Sequence, residues 1–176
     1  MPAGPGWPVL IVTGAAGAGK STLGSALAAD PRLLVLDGDV LAGGAAAVAD
    51  GARDYHGFWR YLLAIGGQAH RNGLVPVFAC ICLPEQVLGA GPVGPVHFLA
   101  LVSDADTVRC RIVQRLDGRP TIDVGFHQSF DKTLSGCSIH PPHTLTFFNT
   151  VGRSPADTVR AGRDWAGDTL GKFAPA

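Results

Sequence analysis

The sequence predicts an α/β three-layer sandwich: a five-stranded parallel sheet with helices on both faces and a mobile lid. Three observations predict it. Short apolar runs rich in β-branched residues recur along the 176 residues and alternate with longer segments of helical spacing. Most of the runs are continuously apolar, the mark of strands buried on both faces. The first run leads into a glycine-rich turn and then a helical pattern. The length suits one domain with a sizeable core, and no repeat or linker divides residues 1–176.

The elements follow in order. Residues 1–8 are expected to be a loose arm. "VLIV" (9–12) is the first strand, and a helix runs from Lys20 to about Ala29. "LLVL" (33–36) is the second strand. "GFWRYLLAIGGQAHRNG" (57–73) carries apolar residues at helical spacing and stops at Asn-Gly. "LVPVFACICL" (74–83) is the third strand, with Pro76 near its start, where proline is tolerated. "VHFLALV" (96–102) is the fourth, and Asp104 caps a helix to about Leu116. Residues 117–143 mix Gly, Pro, His and Asp with weak periodicity and are expected to form the lid. "TLTFFNT" (144–150) is the fifth strand. Ser154-Pro155 opens the last helix, with Ser at the N-cap and Pro in the first turn.

Composition narrows the function. Apolar residues make up 47% and charged residues 16%, with fourteen basic and fourteen acidic side chains. A chain of zero net charge does not present a broad surface for nucleic acid or anionic membrane. The N-terminus has no basic segment before an apolar core, and no stretch nears the ~18 apolar residues of a membrane span. A cytoplasmic protein, monomer or homodimer, is expected. Cys80, Cys82, Cys110 and Cys137 form no C-x-x-C pair and read as small core residues in a reducing compartment. His140-Pro-Pro-His143 has a metal-like look, but its two prolines make it an extended loop, and no metal site is expected there.

"GAAGAGKST" (14–22) satisfies G-x-x-x-x-G-K-[ST] between a strand and a helix, the context of a phosphate-binding P-loop. Gly14, Gly17 and Gly19, with Ala15 and Ala18 between them, let the backbone wrap so that successive N–H groups point at phosphate oxygens. The helix N-terminus adds positive potential. Lys20 reaches the β- and γ-phosphates, Ser21 completes a Mg²⁺ shell, and Thr22 contacts the α-phosphate. The expected cofactors are ATP or GTP and Mg²⁺.

What becomes of the γ-phosphate depends on other residues. No lysine stands in the N-K-x-D context of guanine-reading switches, and the third strand carries no acid of the kind found in motor ATPases. The only glutamate, Glu85, follows that strand. What stands out is Asp37-Gly38-Asp39 behind the second strand. As a strand end, i and i+2 share a face, so both carboxylates can point at the γ-phosphate. An Asx-turn closing the strand is the competing reading, and the two can coexist. The order strand, P-loop, helix, strand, Asp-x-Asp resembles the P-loop small-molecule kinases: the gluconate, shikimate and adenylylsulfate kinases and the antibiotic phosphotransferases. "LDGDV" is similar to the acidic segment of the gluconate and adenylylsulfate kinases. The resemblance implies that Asp39 lies at the acceptor hydroxyl as general base or orienter, and that Asp37 holds the Mg²⁺ shell through water. In "RCRIVQRLDGRP" (109–120), Arg111 and Arg115 share a helical face and Arg119 follows in a turn. The segment resembles the lid start of shikimate-type kinases, which implies that Arg115 stacks on the base and Arg119 reaches the transferring phosphate. The same resemblance places the loop "NTVGRSPADTV" (149–159) on the base, with Arg153 over it.

The acceptor crevice is expected beyond the carboxyl ends of the strands. Asp39, His56, Trp59, Arg60 and Glu85 are its candidate residues, because an aromatic wall with hydrogen-bonding groups suits a polyhydroxylated ring or a nucleoside. The expected reaction is phosphoryl transfer to a hydroxyl of a small molecule: a sugar acid, a nucleoside or a sugar-bearing natural product, with antibiotic resistance or tailoring as a sub-case. Two alternatives remain, a nucleotide kinase and a nucleotide-binding regulatory module that hydrolyses slowly or not at all. The Gly-Gly-Gly segment of the shikimate kinases is absent, and nothing after Asp39 closely matches the adenylylsulfate kinases, so neither acceptor carries over.

Overall fold

The computed structural model describes residues 7–42, 55–91, 94–114 and 123–171. Five strands, β1 (Val9–Gly14), β2 (Leu33–Asp37), β3 (Val75–Ala79), β4 (Val96–Val102) and β5 (Thr144–Asn149), form one parallel sheet in the order β2-β3-β1-β4-β5. The helices are α1 (Lys20–Leu27), α2 (Tyr55–Arg71), α3 (Pro84–Leu88), α4 (Ala105–Gln114), α5 (Val124–Ser135) and α6 (Pro155–Gly171). Residues 38–42 are also helical.

Side-chain alternation along buried strands builds the layers. Leu10 and Val12 of β1, with Leu99 and Leu101 of β4, face a core closed by Leu23 and Leu27 of α1 and by Trp165 and Leu170 of α6. Val9, Ile11 and Phe98 face the opposite side, onto Trp59 and Leu62 of α2. Ala100 on that same side meets α4 and α5 through Val108, Ile112, Phe130 and Leu134. Strands β1, β3 and β4, buried on both faces, need no polar residue in alternation, which is why they read as continuous apolar runs.

The structure corrects three boundaries. Trp7, within the loose arm expected over 1–8, is packed: its indole fills the space above Gly66 and Gly67 and stacks on His70 at 6.1 Å, while residues 1–6 lie outside the described residues. The third strand ends at Ala79, not Leu83, because residues 80–83 turn toward Asp39 and into α3. The lid expected over 117–143 contains a packed helix. Asp123 caps α5 by accepting the Phe126 N–H, and Phe130, Asp131 and Leu134 are buried against β4 and α4. Residues 117–122 lie outside the described residues. Asp104 caps α4 by accepting the Thr107 N–H at 2.6 Å, and Ser154 and Asp157 exchange hydrogen bonds at the head of α6, as their spacing predicts.

Candidate active site

All five strands deliver their following segments to one edge of the sheet, and the central strand delivers the glycine-rich loop. Residues 14–19 link β1 to α1, which begins at Lys20. Gly17 has φ +79°, and a Cβ there would stand 2.9 Å from the Cβ of Arg111, so only glycine lets α4 close over the loop. Ala15 and Ala18 turn their methyls into the core, while Ala18 donates its N–H to Ala15 O at 3.2 Å. Ser21 and Thr22 are exposed at the head of α1.

Lys20 is 7% exposed and has three partners. Nζ donates to Gly14 O at 2.9 Å and Ala15 O at 3.2 Å, and it stands 3.4 Å from Asp39 Oδ2. A buried ammonium without partners carries a large desolvation cost, and these contacts offset it at the loop mouth. Asp39 keeps 42% of its side chain exposed, and its Oδ1 accepts the Ile81 N–H at 2.7 Å. The carboxylate is therefore fixed between the loop lysine and the segment after β3.

The route that brings Asp37 and Asp39 together differs from strand alternation. Strand β2 ends at Asp37, and Asp39 belongs to the helical turn that follows. Asp37 Oδ1 caps that turn, accepting the N–H groups of Asp39 at 3.0 Å and Val40 at 3.2 Å. Its Oδ2 accepts the Ser21 hydroxyl at 3.3 Å. Asp37 thus serves as a turn cap and a cradle residue at once. Gly38 is required by close approach: a Cβ there would lie 2.7 Å from the Cβ of Cys80. Cys80 and Cys82 are free and buried, with sulfurs 3.8 Å apart. The neighbouring Cys82 and burial push the Cys80 thiol up, so it is inert.

The second wall comes from α4, α6 and the segment after β5. Arg111 donates to Thr150 Oγ1 and to Thr150 O, each at 2.8 Å, while its stem lies over Gly17. Thr158 in the first turn of α6 approaches Gly19. The loop 150–153 therefore sits beside the cradle, tightened by an Arg153 N–H to Thr150 O bond, with Arg153 exposed. Arg115 and Arg119 lie outside the described residues. Arg111, one turn before Arg115, is the arginine seen to reach the loop. The i, i+4 arginine pair signals that face, but spacing alone does not say which member makes the contact.

On the acceptor side the predicted residues separate. Trp59 is 1% exposed and meets Phe78 edge-on at 6.0 Å, so it is a core residue and no wall of a crevice. Aromatic spacing on an amphipathic helix has a packing use that outcompetes binding. His56 and Arg60 lie on the exposed side of α2. The His56 ring approaches Gly89 at the end of α3, whose first turn carries exposed Glu85. His56 and Glu85 therefore flank one short helix next to the 80–83 segment that holds Asp39. A further residue had no sequence signal: His127 of α5, whose Nδ1 accepts the Ala16 N–H at 3.3 Å.

Among the described residues no group of three His, Cys, Asp or Glu side chains is placed to hold a metal, and no helix is long and apolar enough to cross a membrane. Ser21 and Asp37 still fit Mg²⁺. They offer two hard oxygen donors within 3.3 Å, and Mg²⁺ typically takes only one or two protein oxygens beside phosphate and water.

No protein-family model and no curated protein match the sequence. Solved structures do. A sugar kinase from Janibacter sp. is similar at a TM-score of 0.67 and 18% identity, over 93% of this chain and 95% of that one. The tunicamycin resistance protein of Deinococcus radiodurans matches at 0.60 and 17%, over 93% and 95%. A gluconokinase from Sinorhizobium meliloti matches at 0.58 and 22%, over 97% and 98%. The chain has the fold of the P-loop small-molecule kinases.

Proposed function

We propose that the chain is an ATP- or GTP-dependent, Mg²⁺-assisted phosphotransferase acting on a hydroxyl of a small molecule. One observation carries the reading: Asp39, held by the Ile81 N–H, faces Lys20 across the mouth of the glycine-rich loop. A nucleotide phosphate in the loop amides meets Lys20 at its terminal end. A carboxylate fixed beside that point can orient a hydroxyl and accept its proton as the phosphoryl group leaves. Ser21 and Asp37 would hold Mg²⁺, which when bound neutralises charge on the phosphates. Arg111, clamped between Gly17 and Thr150, borders the side where the base would lie, with Arg153 at its rim. In this reading Arg115 and Arg119 complete the lid.

Asp39, His56, Arg60 and Glu85 are proposed to bind the acceptor. They are polar and exposed, and a sugar kinase and a gluconokinase stand among the similar structures, so a sugar or sugar acid is the first class to test. The similarity to a tunicamycin resistance protein makes sugar-bearing natural products the second. The test is a panel of hydroxyl compounds with ATP or GTP and Mg²⁺, following nucleoside diphosphate release. Acceptor-stimulated release that Lys20→Ala abolishes supports the reading. Release that no sugar, nucleoside or antibiotic stimulates contradicts it and favours a regulatory nucleotide-binding module.

A further inference from the structure

Helix α5 brings to the cradle a residue that neither the glycine-rich motif nor the aspartates account for. Ala16 lies within the 14–19 segment whose amides a phosphate needs, and its N–H is taken by His127 Nδ1 at 3.3 Å, 111 residues away in sequence. A ring nitrogen that accepts an amide proton carries none itself, so the neutral ring holds its proton on Nε2. Its neighbours on α5 fix the ring. Phe126 meets it edge-on at 5.1 Å, and Phe130 and Leu134, further along the helix, are anchored in the core. The charged groups acting on it are Lys20 of α1, Asp39 of the turn after β2, and Asp123 at the head of α5. Burial and then Lys20 hold its imidazole below the ordinary histidine range, against the smaller pull of the two aspartates.

An arriving phosphate presents oxygens to the same amide. Both the phosphate oxygen and the Nδ1 lone pair are acceptors, and side by side they repel. A proton on Nδ1 turns that repulsion into a charge-assisted hydrogen bond. Resting on the phosphotransferase reading of the site, we propose that His127 is a phosphate-contacting residue: it yields the Ala16 amide to an incoming nucleotide phosphate, takes one proton from solvent at Nδ1, and binds that phosphate as the imidazolium. The ring passes from neutral to a single positive charge, and no covalent bond between heavy atoms forms or breaks. Helix α5 is thereby tied to the phosphate by a group whose charge exists only when phosphate is present.

The experiment is calorimetric titration of the full chain with non-hydrolysable analogues of ATP and of GTP, each with Mg²⁺ at pH 7, in buffers of different ionisation enthalpy. The proton count is compared for the wild type, for His127→Gln, and for adenosine as ligand. The wild type is expected to take up more protons per nucleotide than His127→Gln does, by about half a proton or more, since a neutral histidine made cationic beside a phosphate crosses neutral pH. Adenosine, without phosphate, gives no uptake. Equal proton counts in wild type and His127→Gln overturn the role. Should His127→Gln not fold, the wild type decides alone: the same count for nucleotide and adenosine overturns it. Nucleotide binding without this uptake removes only the role of His127. No nucleotide binding by the wild type removes the phosphotransferase reading together with it.

Discussion

The two ends of the site are built in opposite ways. At the phosphate end, eight consecutive positions from Gly14 to Ser21 make the cradle: Lys20 is held within it by Gly14 O and Ala15 O, and Lys20 and Ser21 tie it to Asp39 and Asp37 of the next turn. At the proposed acceptor end, His56 and Arg60 of α2 and Glu85 of α3 come from two helices distant in sequence and stay exposed. Phosphate is the same ion in every nucleotide, so one rigid loop suffices. An acceptor varies in shape, and the side chains proposed to meet it sit on exposed helix positions where substitution costs little stability.

That contrast can be broken most severely at Lys20. Lys20→Ala removes the cation between the loop carbonyls and Asp39, and turnover is expected to fall by about 10³-fold or more, with nucleotide binding weakened as well. Next is Asp39→Asn. It keeps the acceptor oxygen for the Ile81 N–H, so nucleotide affinity should stay within a few-fold, while kcat falls by roughly 10²–10⁴-fold. Isothermal titration beside steady-state kinetics separates the two.

Trp59→Ala sharpens the comparison from the other direction. Its indole is packed on Phe78 in the core, so the substitution should cost about 3–5 kcal/mol of stability. Denaturant unfolding measures it. The surviving folded fraction should keep its acceptor KM, because Trp59 touches no crevice. His56→Ala should do the reverse: unfolding unchanged within about 0.5 kcal/mol, and acceptor KM raised several-fold with nucleotide KM unaltered.

The smallest effect is a pH dependence at the joint between α5 and β4. Asp131 is buried, its Oδ2 accepts the Ser103 N–H, and burial raises its carboxyl above the ordinary carboxylate range. The folded protein therefore holds that proton more tightly than the unfolded chain. The associated stability is present below the unfolded value and is lost as pH rises through the raised folded one. Asp131→Asn keeps an oxygen for the Ser103 N–H and should flatten this segment of the stability–pH curve. An unchanged slope in Asp131→Asn would assign the dependence to other groups.

The difference between the two ends also explains what the sequence made legible. The cradle is local: G-x-x-x-x-G-K-[ST] lies in the adjacent residues from Gly14 to Ser21, and strand and helix follow from continuous apolar runs and caps at Asp104 and Ser154. Asp37 and Asp39 were legible as a pair, but their geometry was not. Two residues of strand and a strand end followed by a capped turn read alike until the Val40 N–H is seen on Asp37. Trp59 reads from sequence as an acceptor residue and is core in the fold, because an aromatic at a helical position suits wall and core equally. His127 was invisible. Its partner is a backbone amide 111 residues away, and backbone amides leave no mark in a sequence. Arg115 and Arg119 lie outside the described residues, and the geometry of the phosphate end stands without them.

The central claim is that the phosphate passes from nucleotide to a hydroxyl beside Asp39. The most direct measurement counts products in one reaction, with ATP or GTP, Mg²⁺ and a sugar or sugar acid drawn from the panel. The account predicts nucleoside diphosphate and phosphoester in equal amounts for the wild type, little inorganic phosphate, and neither product accumulating in Asp39→Asn. Nucleoside diphosphate matched mole for mole by inorganic phosphate, at a rate indifferent to every acceptor and to Asp39→Asn, would contradict it.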